Sequence, residues 1–100
     1  MLYAIIAEDA PGTLAQRLAT REQHLERLRA LQDDARLVLA GPCPAIDNID
    51  PGPAGFTGSI IIAEFDSLAD AQVWAEADPY RSAGVYANVL IKPFKQVFPD

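Results

Sequence analysis

Apolar residues gather in four short runs and recur at helical spacing in two longer ones, with turn-forming residues between them. Leu2-Tyr3-Ala4-Ile5-Ile6-Ala7 is short and apolar and ends at Glu8-Asp9-Ala10-Pro11-Gly12, which predicts a strand and a loop. From Leu14 to about Gln32 there is no Gly or Pro, and leucines recur at 14, 18, 25 and 28, the periodicity of a long amphipathic helix. Thr13 and Gln16 match a capping box at its start, and Asp33-Asp34 marks its exit. Arg36 to Ala40 predicts a second strand closed by Gly41-Pro42, and residues 43 to 57 have the proline, glycine and Asx content of a loop. Ser59 to Phe65 is the third strand. Asp66-Ser67 then offers N-caps to a helix through Leu68, Ala71, Val73 and Trp74 to Ala77, which Asp78-Pro79 stops. After Gly84, Val85 to Ile91 is the last strand.

The resulting order, β-α-β-β-α-β, is that of a ferredoxin-like α+β sandwich with an antiparallel four-stranded sheet, and residues 1–100 form a single domain. With both helices on one face, the other face of the sheet should turn polar at every second residue. It does not. The first strand carries Leu2, Ala4 and Ile6 on one side and Tyr3, Ile5 and Ala7 on the other, and the third carries Ile60 and Ile62 opposite Ile61, Ala63 and Phe65. A chain of this size cannot cover both faces, so a second copy docked through the open sheet face, a homodimer, is expected.

On the first helix, Leu14, Leu18, Leu25 and Leu28 fall within about 80° of one another at 100° per residue. Arg21 projects from the middle of that stripe, with Arg17 and His24 along its edge at spacings of four and three. An arginine on an apolar stripe either snorkels to solvent or reaches a polar pocket. Asp78 also has two readings. It can cap a short turn that begins at Pro79, or its carboxylate, set at the unfavourable C-terminal end of the second helix, can face a cation. His24 is the candidate, because the two helices pack side by side in this fold and a carboxylate would orient the imidazole.

Charge narrows the partners. Lys and Arg total 8 against 14 Asp and Glu, a net charge of −6, which disfavours nucleic acid and anionic lipid surfaces. The apolar runs fall far short of the roughly 20 residues that cross a bilayer, and no basic n-region precedes Met1 to Ala7, so a cytoplasmic location is expected. One cysteine and one histidine cannot form a Cys/His zinc site, and nothing in the sequence calls for a metal or other cofactor. Cys43, between two prolines with no basic neighbour, reads as a bystander. Gly52, Gly55 and Gly58 lack the strand-turn-helix setting of a phosphate loop and read as turn residues. Trp74 and Tyr86 read as core or dimer contacts.

Arg21-x-x-His24-Leu25, Leu39-Ala40-Gly41-Pro42, Gly58-Ser59-Ile60, Ala77-Asp78-Pro79-Tyr80 and Ala83-Gly84 together resemble the YciI-like (YCII-related) family, from Met1 to about Pro93. The resemblance implies a dimeric α+β barrel in which two ferredoxin-like sheets face each other. It also implies an active site around a histidine and an aspartate, which correspond here to His24 and Asp78. On this reading a pocket between helices and sheet, lined by Arg21, His24, Ser59 and Asp78, holds a small anionic metabolite. Arg17 and Arg21 would supply the positive field, with Ser59 and Tyr80 as further contacts. Two functions fit: a His-Asp dyad moving protons in an isomerisation or elimination, or a non-catalytic module that binds a small anion in the same pocket.

Overall fold

The computed structural model describes residues 1–100. Its elements are β1 (Leu2–Asp9), α1 (Leu14–Asp33), β2 (Leu37–Pro44), β3 (Phe56–Glu64), α2 (Leu68–Glu76), α3 (Pro79–Ser82) and β4 (Tyr86–Phe94), with a 3-10 turn at Gly52–Ala54. The sheet runs β2-β3-β1-β4 with every neighbouring pair antiparallel. This is the ferredoxin-like α+β arrangement expected from the element order.

Alternation along the strands builds the core. Tyr3 and Ile5 on β1 and Ile61 and Ala63 on β3 point toward the helices, where Leu28 and Leu31 of α1 and Ala71 and Ala75 of α2 meet them. The two alanines let α2 lie close to the sheet. A smaller cluster of Ala7, Tyr80, Val85 and Tyr86 fills the other end. On the opposite face Ile6 pairs laterally with Ile60 and Leu90. These three side chains remain 39%, 40% and 51% exposed, so the second apolar face is real and uncovered within the chain.

Several local expectations are corrected. The Thr13 hydroxyl donates to the Ala10 carbonyl at 2.7 Å and makes no cap bond, so the capping box does not form. Ser67 does cap α2, accepting from the Asp70 amide at 3.1 Å. β2 does not stop at Gly41-Pro42 but continues through Cys43 to Pro44, because it is an edge strand where proline need not donate to a ladder. Cys43 therefore lies on a strand, not a loop. Gly58 is also no turn residue: it sits within β3, where a Cβ would strike the Ala7 carbonyl of β1.

The largest correction concerns α1. Its buried residues are Arg17, His24, Leu28 and Leu31, a face rotated by roughly 75° from the leucine stripe. Leu18 is 59% exposed and Arg21 is exposed, whereas Arg17 is only 4% exposed. The arginines have exchanged the expected places. The reason is the partner that β1 offers: Asp9, at the strand's end, binds Arg17 so well that the polar side chain goes inside and Leu18 stays out.

Candidate functional site

Three side chains of α1, at positions 17, 21 and 24, rise along one side of the helix toward the first half of β3 and the start of α3. Arg17 is fixed first. Its Nε donates to Asp9 Oδ2 at 2.8 Å and its Nη2 to Asp9 Oδ1 at 2.9 Å, a bidentate pair. Nη2 also reaches the Gly58 carbonyl at 3.1 Å and the Ser59 hydroxyl at 3.0 Å. Burial works against the charge on Arg17, but the hydrogen bond and charge of Asp9 more than offset it and hold the guanidinium above its ordinary pKa. Such a group ties α1 to β1 and β3 and has few donors left for a ligand.

His24 and Asp78 meet as a buried pair, 6% and 2% exposed. Nδ1 of the imidazole lies 2.9 Å from Oδ2 and 3.1 Å from Oδ1 of the carboxylate. An ionised carboxylate only accepts, so the proton of this bond is on Nδ1 and Nε2 is the nitrogen free for other work. Asp78 also accepts from the Tyr80 amide at 2.8 Å, as the N-cap of α3, with Pro79 in the first helical turn. The two readings of Asp78 are thus both realised in one carboxylate. The Tyr80 ring stacks on the imidazole, centroids 4.1 Å apart and 20° from parallel, and the Arg17 guanidinium carbon lies 4.7 Å from the centre of the same ring.

These groups border a cavity of about 190 Å³. Arg17, Arg21, His24, Ser59 and Tyr80 supply its polar wall, and Leu25, Leu28, Pro42 and Ile61 its apolar one. Arg21 stands exposed at the mouth with its guanidinium unpaired. Asp78, expected on the wall, instead lies behind His24 and out of the cavity. A wider depression along residues 44–49 is open surface and brings in only Asp47 among titratable side chains. No cluster of three or more His, Cys, Asp or Glu side chains is placed to hold a metal ion.

Three contributors were not foreseen. Asp9 reads in sequence as part of a breaker cluster, and its only signal is an acid eight residues before Arg17, across the β1–α1 turn. Tyr86 is the core contact that the sequence suggests, and it also stands edge-on to His24 at 6.4 Å and to Tyr80 at 5.4 Å, with a buried hydroxyl that has no hydrogen-bond partner. Burial pushes this phenol well above the ordinary tyrosine range, and raises Tyr80 too, against the pull of Arg17 and Arg21. Arg27, one turn beyond His24, brings Nη1 to 3.9 Å from Asp78 Oδ2.

Comparison with known proteins agrees with this architecture. The chain is 59% identical over 98 residues to the protein YciI of Escherichia coli O6:H1, covering 98% of this chain and 100% of that one. It has the same identity and coverage with an uncharacterized protein of Haemophilus influenzae. Among solved structures it is similar to a 5-chloro-2-hydroxyhydroquinone dehydrochlorinase from Burkholderia phenoliruptrix, in complex with 2,5-dihydroxybenzoquinone. That match has a TM-score of 0.83 and 29% identity, covering 95% of this chain and 94% of that one. An antibiotic biosynthesis monooxygenase, with a TM-score of 0.51 and 15% identity over 97% of this chain and 99% of its own, shares the fold alone. With a family model matching residues 1–95, the chain belongs to the YCII-related domain family.

Proposed function

We propose that this protein is an acid–base enzyme in which His24, oriented by Asp78, moves a proton on a small anionic, ring-derived metabolite held in the cavity. The observation that carries the reading is the His24 Nδ1–Asp78 bond of 2.9 Å, which commits one ring nitrogen of a residue that lines the cavity and leaves the other uncommitted. A neutral imidazole with one tautomer fixed is prepared to accept a proton at Nε2 and return it. The cavity volume suits one six-membered ring, and its apolar wall of Leu25, Leu28 and Ile61 suits a flat face. Arg21, exposed and unpaired at the mouth, is the cation for the substrate's oxyanion, a role that Arg17 cannot share fully because Asp9 occupies it.

Two outcomes follow from the same proton acceptance. If the proton returns at another ring position, the reaction is an isomerisation. If the electron pair it leaves behind displaces a halide, the halide departs with the carbon–halogen pair and the reaction is an elimination. Similarity to the dehydrochlorinase supports the second, on a hydroxylated aromatic ring. The uncovered band of Ile6, Ile60 and Leu90 supports a homodimer through the open sheet face.

The test is ring-anion binding followed by turnover. 2,5-Dihydroxybenzoquinone titrated into the protein is expected to bind with Arg21-dependent affinity, and chlorinated hydroxyhydroquinones are expected to release chloride in a His24-dependent reaction. Binding that survives without chloride release or proton exchange from any hydroxylated ring would instead identify the non-catalytic, anion-binding module.

A further inference from the structure

Asp78 has a third neighbour that neither the cap nor the histidine pair explains. Arg27 follows His24 by three residues, so α1 presents both side chains to one carboxylate from adjacent turns. Its Nη1 lies 3.9 Å from Asp78 Oδ2, too far for a hydrogen bond and close enough for a strong charge interaction. The guanidinium is held there from the other side. Nη2 donates to the Trp74 carbonyl at 2.7 Å in the last turn of α2, and the guanidinium carbon sits 4.3 Å from the centre of the Trp74 ring. Trp74 is itself packed on the core beside Phe65, at 5.6 Å between centroids. Nη1 is buried with no hydrogen-bond partner, an unfavourable arrangement for a side chain that merely caps α2.

We propose that Arg27 is a positioning residue for the His24–Asp78 pair, its fixed positive charge drawing on the Asp78 carboxylate so that the imidazole protonates less readily than an unopposed aspartate would make it. This rests on the acid–base reading of His24. A histidine beside a lone buried carboxylate is driven toward the imidazolium and is then a poor base. A cation behind the carboxylate removes part of that drive. Burial disfavours the charge on Arg27, and Asp78 partly restores it, which is the reciprocal of the same interaction. The other charged or titratable groups facing His24 are Arg17 and Arg21 on its own helix, Tyr80 on α3 and Tyr86 on β4. Arg17 is balanced by Asp9, and both phenols are held protonated by burial. Arg27 is therefore the cation nearest the carboxylate of the pair.

His24 is the only histidine in the chain, so its titration can be followed without assignment by NMR of the ring protons. The comparison is wild type against Arg27→Met and Arg27→Gln, which remove the charge, and Arg27→Lys, which keeps it. The two neutral variants are expected to titrate about one pH unit higher than wild type, and the lysine variant to return most of the way. An α2 cap without influence on the pair predicts wild-type titration in all four proteins, which would overturn the proposal. A shift in Arg27→Lys as large as in Arg27→Met would overturn it too, because packing rather than charge would then be responsible. Should Arg27→Met fail to fold, Arg27→Gln against Arg27→Lys decides the question alone. The measurement needs no substrate, so a protein without catalytic activity would still answer it.

Discussion

Across 54 positions of sequence, Nδ1 of His24 reaches Asp78 Oδ2 at 2.9 Å, and the same carboxylate caps α3 by accepting the Tyr80 amide. The cap fixes the carboxylate, and the carboxylate fixes the imidazole. Because α3 begins where α2 ends, the position of the imidazole depends on a turn that Pro79 makes abrupt. Fold and site thus share one side chain.

This double use separates two substitutions. Asp78→Asn retains a competent N-cap and is expected to leave the unfolding midpoint little changed, while proton transfer falls about 10²–10⁴-fold because the negative charge facing the imidazole is gone. Asp78→Ala is expected to lose the cap as well, at about 1 kcal/mol further. Thermal unfolding and turnover, measured on both variants, check the pair. Equal turnover in Asp78→Asn and wild type would assign Asp78 to capping alone.

Arg17 and Arg21 should divide structure from binding. Removing Arg17 leaves Asp9 buried at 5% side-chain exposure without its counter-charge, so Arg17→Ala is expected to cost about 3–5 kcal/mol of stability. Arg21 has no protein partner to abandon, so Arg21→Ala should leave stability within about 0.5 kcal/mol of wild type and weaken ring-anion binding at least tenfold. Urea denaturation and ligand titration on the two variants are sufficient. A stable Arg17→Ala protein would contradict the geometry of the Asp9 pair.

Much of this arrangement is legible in the residues, and the failures have physical causes. The β-α-β-β-α-β order follows from runs of opposite periodicity separated by breakers, and the His24–Asp78 pair follows from a lone histidine and an acid at an unfavourable helix end. The orientation of α1 is not legible, because counting leucines favours Leu18 whereas Asp9, on another element, decides for Arg17. Likewise Gly41-Pro42 reads as the end of a strand, and Pro44 as loop, until the sheet order places β2 at the edge. Tyr86 reads in sequence as a core or dimer contact and is buried in the smaller core cluster, but nothing in the sequence sets it beside His24. Its role depends on which aromatic rings the fold brings together.

Tyr86 gives a pH dependence whose sign can be worked out. Burial raises its phenol pKa in the folded state, while the unfolded chain ionises near 10. The folded state therefore holds more protons above that pH, and the stability contribution, fully present below about pH 10, is lost as pH rises further, by about 1.4 kcal/mol per unit. Tyr86→Phe removes a hydroxyl that has no hydrogen-bond partner, so it is expected to be near neutral at pH 7 and to flatten the alkaline loss. Urea midpoints from pH 8 to pH 11.5 test both statements. Parallel curves for wild type and variant would remove Tyr86 as the source.

The open sheet face makes the last prediction. Ile60 lies opposite Ile6 in register, both are about two-fifths exposed, and Leu90 extends the band on the far side of β1. A second copy that buries this band would take these side chains out of water, at roughly 25 cal/mol for each Å² of apolar surface covered. Ile60→Lys places a charge at the centre of the band without touching Ile61, Ser59 or the cavity, which point the other way. Light scattering is expected to give a dimer for the wild type and a monomer for Ile60→Lys at micromolar concentration, with the His24 ring resonances little altered because the pocket lies on the helix side. A monomeric wild type would refute the dimer. A monomeric variant that loses ring-anion binding would show instead that the pocket needs its partner.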